Sequence, residues 1–399
     1  MATINKNYNK VPPAYGFMEI GRRIKAFVKI NPGTEVMRLG IGNTTQPLTA
    51  TIVRGLLKGV KKLADAKSYT GYGDEQGDSR LRQALAGFYE KRGINISEQE
   101  IFISDGAKPD SANISSIFGM DSIVAVTDPV YPVYADSNII AGKKVVYMNC
   151  RQENGFVPGI PKGKVDLIFL CSPNNPTGAV MTKKQLKDFV DYANKKKAVI
   201  IFDAAYAEYI SDKNLPKSIY EIPGAKSCAI EINSFSKWAG FTGVRLGWTV
   251  VPMDLAVEGV EKGKVNSLWN RRQTTMFNGA SNIVQEGGLA VLSEKGQKEC
   301  KELVDYYMNN ARIIKSGLTK MGLEVYGGEN APYIWLKVPG NMDSWDFFDS
   351  LLKEARVAGT PGSIFGPKGE GYLRLSAFGN KEDIKRAVES IQKNLKFET

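Results

Sequence analysis

The stretch "SFSKWAGFTGVRLGW", residues 234–248, sets Ser234 and Ser236 just ahead of Lys237 and follows them with Arg245. Two hydroxyls and a guanidinium, which can bind two oxygens at once, suit a phosphate. The apolar sequel "WAGF" offers Lys237 the desolvated surroundings that lower an amine's pKa and make it a nucleophile. A second anion cradle is written in "EIFISDGAKPDS", where an apolar run passes through Gly106 and Ala107 into an expected helix start, with free backbone N–H groups. In "KAVIIFDAAYAEY" Asp203 ends a strongly apolar run, and a carboxylate there needs a donor or a cation as partner. In "VDLIFLCSPNNPTGA" Asn175 precedes Pro176 in what, taken alone, is only a turn.

A phosphate site, a nucleophilic lysine and a lone buried carboxylate are together what pyridoxal 5′-phosphate requires. The lysine joins the coenzyme's aldehyde, and the carboxylate keeps its pyridine nitrogen protonated so that the ring absorbs carbanion electrons.

The elements that must position these groups are short apolar runs separated by helical patterns: "EIFISDG", "SIVAVTDP", "VDLIFLCSP", "KAVIIFDAAY", "CAIEINSFS" and "RLGWTVVP". Buried strands alternating with helices predict an α/β fold with a mostly parallel sheet, whose carboxyl-end loops collect the chemistry. From about residue 290 the texture changes to amphipathic helices around 294–320 and 344–357, strands "YIWLKV" and "GYLRLSAF", and a final helix that Asn380 and Asp383 are expected to cap. We divide the chain into an N-terminal arm joined to part of a small domain (1–45), a large coenzyme domain (46–285) and a small α+β domain (286–399).

With 399 residues, 43% hydrophobic and 24% charged, the chain has the composition and length of a two-domain globular protein. It contains no histidine, which removes every mechanism that relies on a histidine base or ligand, and no metal site is expected. Cys150, Cys171, Cys228 and Cys300 are widely spaced and read as buried free thiols. The net charge of +11 is scattered rather than clustered with aromatics, so nucleic acid is not the expected partner. No apolar run is long enough to span a membrane, and the N-terminus resembles neither a signal nor a transit peptide, so a cytoplasmic location is expected.

In order and spacing, "SPNNPTG", "DAAY", "SFSKWAGFTGVRLGW" and "YLRLSAFG" resemble the fold-type I, class I/II aminotransferases. Together with "YGFMEIGRRI", "LGIGNTTQP", "YTGYGDEQG", "SDGAKPD" and "FNGASN", they resemble most closely the LL-diaminopimelate aminotransferases. The resemblance implies a seven-stranded large-domain sheet. It makes Lys237 the lysine bound to the coenzyme, Asp203 the partner of the pyridine nitrogen, and Asn175 and Tyr206 donors to the 3-hydroxyl. Tyr131 would stack on the ring, and Ala107, Lys108, Ser234, Ser236 and Arg245 would hold the phosphate. Arg374 would clamp the substrate α-carboxylate. Tyr15 and Gly42, with Tyr72, Glu75 and Asn278 from a second subunit, would complete the substrate pocket of a homodimer. The implied reaction is reversible amino transfer between LL-2,6-diaminopimelate and 2-oxoglutarate, giving tetrahydrodipicolinate and glutamate on the route to lysine. The alternative is a related aminotransferase acting on lysine or another amino acid. A lyase on the same scaffold is a further possibility, against which the Arg374 clamp argues.

Overall fold

The computed structural model describes residues 1–13, 16–340 and 342–395, so Tyr15 lies outside the described residues. Its strands are β1 (Met37–Arg38), β2 (Ile101–Ser104), β3 (Ile123–Asp128), β4 (Lys144–Asn149), β5 (Leu167–Cys171), β6 (Val199–Asp203), β7 (Ala229–Ser234), β8 (Gly247–Val250), β9 (Val325–Gly327), β10 (Tyr333–Lys337), β11 (Val357–Ala358), β12 (Thr360–Pro361) and β13 (Tyr372–Ser376). Seven of them form one sheet in the order β2-β8-β7-β6-β5-β3-β4.

The inner strands of this sheet are buried on both faces, as their unbroken apolar runs require. Edge strand β4 carries exposed Lys144 and Asn149, and this weaker pattern hid it from the run-by-run reading. All pairings are parallel except those of β8, which runs against both β7 and β2. That reversal matters for the site: the start of β8, two residues after Arg245, meets the carboxyl ends of β2 and β7, with Gly247 opposite both Ser104 and Ser234. Arg245 therefore reaches the same edge as the residues that end the parallel strands.

A second sheet, β12-β13-β10-β9, is antiparallel, and β1 pairs in parallel with β11, so the segment before the large sheet is stitched to the C-terminal elements. The helix Glu294–Lys320 packs on the last helix, Lys381–Asn394. Asn380 stands at the N-cap of that last helix but its side chain makes no capping bond there. Its Oδ1 instead accepts from Gln46 at 3.2 Å, the Lys381 N–H goes to the Tyr306 hydroxyl at 2.7 Å, and Asp383 pairs with Arg386 at 2.6 Å. For Asn380 and Lys381 the partners are distant in sequence, and for Asp383 a neighbour on the same helix, so the local cap is not formed.

The four cysteines are buried and unpaired, and burial pushes the thiols of Cys150, Cys228 and Cys300 up to about 12, so they behave as apolar packing. Among the described residues no helix is long and apolar enough to cross a membrane.

Candidate active site

At the carboxyl edge of the large sheet, below the antiparallel sheet, lies a cavity of about 510 Å³. Twelve of the residues singled out from sequence line it: Gly42, Ala107, Lys108, Tyr131, Asn175, Asp203, Tyr206, Ser234, Ser236, Lys237, Arg245 and Arg374. Four cations among them, Lys108, Lys237, Arg245 and Arg374, face a single carboxylate, Asp203. A cavity with that imbalance is built for an anionic ligand.

One end is organised around Ser236. Ser234 Oγ donates to Ser236 Oγ at 2.8 Å and Arg245 Nη1 reaches the same oxygen at 3.4 Å. Ser234 Oγ also lies 3.2 Å from the Leu246 carbonyl and accepts from the Ser236 N–H at 3.1 Å, so the two serines fix one another at the cavity wall. Arg245 holds φ 71°, a left-handed conformation that costs a non-glycine residue about 1–2 kcal/mol, and so its side chain can turn back toward Gly106. Gly106, at φ 134°, leads into the helix Ala107–Asn113, and a Cβ there would sit 2.6 Å from Arg245 Nη2. Only glycine lets the loop pass so close to the guanidinium.

The middle of the cavity carries Asp203 and Lys237. Asp203 ends β6 and is 7% exposed. It accepts from the Tyr134 hydroxyl at 2.6 Å and the Ala205 N–H at 2.9 Å. Burial pushes its pKa up, opposed by these two hydrogen bonds and by the charge of Lys237. Lys237 Nζ donates to the Gly42 carbonyl, and Tyr209 Oη fixes the Lys237 backbone carbonyl at 2.8 Å. Desolvation, then Arg374 and Arg245, lower this amine to about 8, so an appreciable fraction is unprotonated and nucleophilic near neutral pH. Tyr131 stands at the N-cap position of the helix Pro132–Ile140 without a side-chain capping bond, and the Lys108 amine lies 5.9 Å over its ring.

The other end is Arg374, on β13 and only 2% exposed. It donates to Asn175 Oδ1 at 2.7 Å and to the Gly40 carbonyl at 2.6 Å, and its guanidinium lies 4.6 Å over the Tyr333 ring. No carboxylate pairs with it among the described residues. A buried guanidinium without an anion is expensive unless a ligand brings one. The bond to Asn175 Oδ1 also turns that side chain so that its amide nitrogen is free to donate into the cavity.

Tyr72, Glu75 and Asn278 do not line this cavity. Tyr72 is 90% exposed, and the backbone beside Glu75 packs on Gly279, next to Asn278. Tyr134, Tyr333, Thr360 and Gly40 escaped the sequence reading. Tyr134 had a usable signal, since it lies three residues after Tyr131, one turn along the same helix face. Tyr333 sits in a plain strand pattern and had none.

Set against known proteins, the chain belongs to the aminotransferase class I and II family, whose model matches residues 34–391. Within that family its sequence groups with the LL-diaminopimelate aminotransferases. It is 53% identical to the one from Agathobacter rectalis, over 98% of this chain and 100% of that protein. The solved structure of L,L-diaminopimelate aminotransferase from Chlamydomonas reinhardtii superimposes with a TM-score of 0.93 at 47% identity, covering 98% of both chains. An aromatic aminotransferase from Pyrococcus horikoshii is more distant, with a TM-score of 0.82 and 28% identity over 93% of this chain and 98% of that one.

Proposed function

We propose that this aminotransferase uses pyridoxal 5′-phosphate to move an amino group reversibly between LL-2,6-diaminopimelate and 2-oxoglutarate. Glutamate and, after ring closure of the oxo product, tetrahydrodipicolinate are the products, a step of diaminopimelate and lysine synthesis. The observation that carries the reading is the buried Arg374, unpaired by any acid among the described residues, across one cavity from a lysine whose amine is lowered to about 8 beside a buried carboxylate. The substrate follows from the relatives named above.

The donor set fits the coenzyme. Asp203, costly to bury as an anion, calls for the protonated pyridine nitrogen. The free amide of Asn175 and the Tyr206 hydroxyl suit the ring oxygen, and the Tyr131 ring suits the pyridine face. Ser236, Arg245, Lys108 and the backbone N–H groups at Ala107 suit the phosphate. When bound, pyridoxal 5′-phosphate supplies an aldehyde that condenses with the amino group and a ring that takes up the electron pair left when the α C–H bond breaks.

Arg374 grips the substrate α-carboxylate and so orients the α-carbon. Lys237 removes the α-proton and later returns one to the same carbon in the reverse half-reaction, a service worth about 10² to 10⁴ in rate. Its lowered pKa suits that task, since an amine of about 8 is about one-tenth unprotonated at pH 7 and half unprotonated at pH 8.

Tyr72, Glu75 and Asn278 are read as the contribution of a second copy, which makes the enzyme a homodimer with shared sites. The helix Ala50–Ala64 leaves Val53, Leu57 and Val60 exposed in one stripe, an apolar face that suits such a partner. Glu75 then meets the distal ammonium of diaminopimelate and Asn278 its distal carboxylate.

The test has two parts. Borohydride reduction of protein incubated with the coenzyme, followed by mass spectrometry, locates the pyridoxyl group on the Lys237 peptide. Glutamate formation from 2-oxoglutarate is then measured with LL-diaminopimelate and with lysine as donors. A label elsewhere overturns the coenzyme assignment, and faster transfer from lysine overturns the substrate.

A further inference from the structure

Two hydroxyls in the cavity have an unclosed hydrogen-bond count. Tyr206, just past β6, and Tyr333, at the start of β10, are 127 residues apart, yet their Oη atoms lie 2.8 Å apart and either could donate. Among the described residues neither hydroxyl has another hydrogen-bond partner. Two hydroxyls carry two hydrogens, and the bond between them uses one. Burial pushes both phenols above their ordinary pKa, so both keep their hydrogens at working pH. The rings are 6% and 1% exposed, and a buried donor left without an acceptor costs about 1–3 kcal/mol. One hydroxyl is therefore aimed at a group the cavity receives.

The packing decides which. The Tyr333 ring is held between the Arg374 guanidinium at 4.6 Å and the edge of Phe378 at 6.0 Å. Its oxygen is pressed against the backbone of Gly42, where a Cβ would come within 2.6 Å. Among the described residues Tyr206 Oη is then the one hydrogen-bond partner within its reach. Tyr206 follows β6, and Asn175, whose free amide also faces the cavity, follows the neighbouring strand β5. We infer that Tyr333, from the antiparallel sheet, donates to Tyr206 and so commits the Tyr206 hydrogen to the coenzyme's ring oxygen, acting as a positioning residue that tunes the coenzyme from a second layer. The inference rests on the coenzyme reading above.

A hydroxyl that accepts a hydrogen bond becomes a stronger donor. Through Tyr206, Tyr333 thus stabilises the ring oxygen as an anion, which lowers the pH at which the coenzyme bound to Lys237 loses its proton. Removing the Tyr333 hydroxyl has the opposite sign and raises that pH. It also explains the glycine at 42, because any side chain there would displace the Tyr333 oxygen.

The experiment is a pH titration of the visible absorbance of the coenzyme-loaded protein, without substrate, in the unaltered enzyme, Tyr333→Phe, Tyr206→Phe and the double variant. Tyr333→Phe is expected to raise the midpoint by about 0.5 unit and Tyr206→Phe by about 1 unit or more. In the Tyr206→Phe background, Tyr333→Phe is expected to add nothing, because its effect passes through Tyr206. A raised midpoint for Tyr206→Phe with no change for Tyr333→Phe overturns the relay and leaves the coenzyme reading standing. So does a larger shift from Tyr333→Phe than from Tyr206→Phe, which reverses the direction of donation, or an independent additive shift in the double variant. Absence of a visible band in the unaltered protein overturns the coenzyme reading itself, and the relay with it.

Discussion

The floor of the cavity and the loops at residues 72–75 and 278 hold their polar groups in opposite ways. On the floor, Asp203, Asn175 and Arg374 are buried, and each is oriented by hydrogen bonds from other elements of the same chain. In the loops, Tyr72 stands almost free and Asn278 is exposed. The floor is preorganised for bond-breaking, which needs groups fixed before the substrate arrives. The loops face solvent within one chain, and under the proposed homodimer they are where selectivity for a long substrate with a second amino-acid head would be added.

If that division holds, substitutions on the floor should affect every amino donor and substitutions in the loops only the long one. The largest expected effect is at Lys237: Lys237→Ala slows amino transfer by up to about 10⁴-fold with both diaminopimelate and glutamate, read by single-turnover kinetics. Substantial turnover in that variant would sink its role as the base. Next is Arg374→Lys, which keeps the charge but loses the paired donors, and is expected to cut kcat/KM by about 10²-fold for both donors alike. A loss confined to one donor would move Arg374 out of α-carboxylate binding.

A smaller, selective effect is expected in the loops. Glu75→Gln should raise the KM for diaminopimelate by about 10-fold or more while the glutamate value moves less than about 2-fold, since a charged hydrogen bond is worth about 1.5–3 kcal/mol. Equal changes would erase the distinction between floor and loop.

The smallest effect concerns stability, measured by denaturant unfolding of the coenzyme-free protein. Lys237 is lowered from 10.5 to about 8 on folding, so below pH 8 the folded chain bears the cost of a desolvated charge in full. Between about 8 and 10.5 the folded chain releases its proton before the unfolded chain does, and stability rises. Lys237→Met should therefore be more stable than the unaltered protein at pH 7, by about 1–2 kcal/mol because the cavity mouth admits some solvent, and the gap should close by pH 10.5. A gap independent of pH would mean that the amine is not desolvated.

Much of the floor was legible beforehand for a simple reason. In a parallel sheet the polar residues that end or follow an apolar run are carried to the carboxyl edge, so Asp203, Ser236 and Lys237 declared themselves by position, whereas Asn175 read as a turn and took its role from the resemblance. Arg374 did not, because a charge in an alternating strand reads as solvated; only the resemblance singled it out, and only the packing of β13 beneath Gly40 and Thr360 buries it. Asn380 misled for the same reason in reverse: a local capping pattern was overruled by Gln46 and Tyr306, which no local window contains.

The amino-acid sequence by itself determined the alternation of strands and helices, the edge at which chemistry collects, and the residue types that suit a phosphate, an amine and a carboxylate, because all of these are properties of short windows. Tertiary structure alone decided that Tyr333 meets Tyr206, that Arg374 faces the cavity with no acid beside it among the described residues, and that Ser234 meets both Ser236 and the Leu246 carbonyl. Those outcomes depend on which groups from distant strands compete for the same hydrogen bond, and that competition exists only once the two sheets have closed over one cavity.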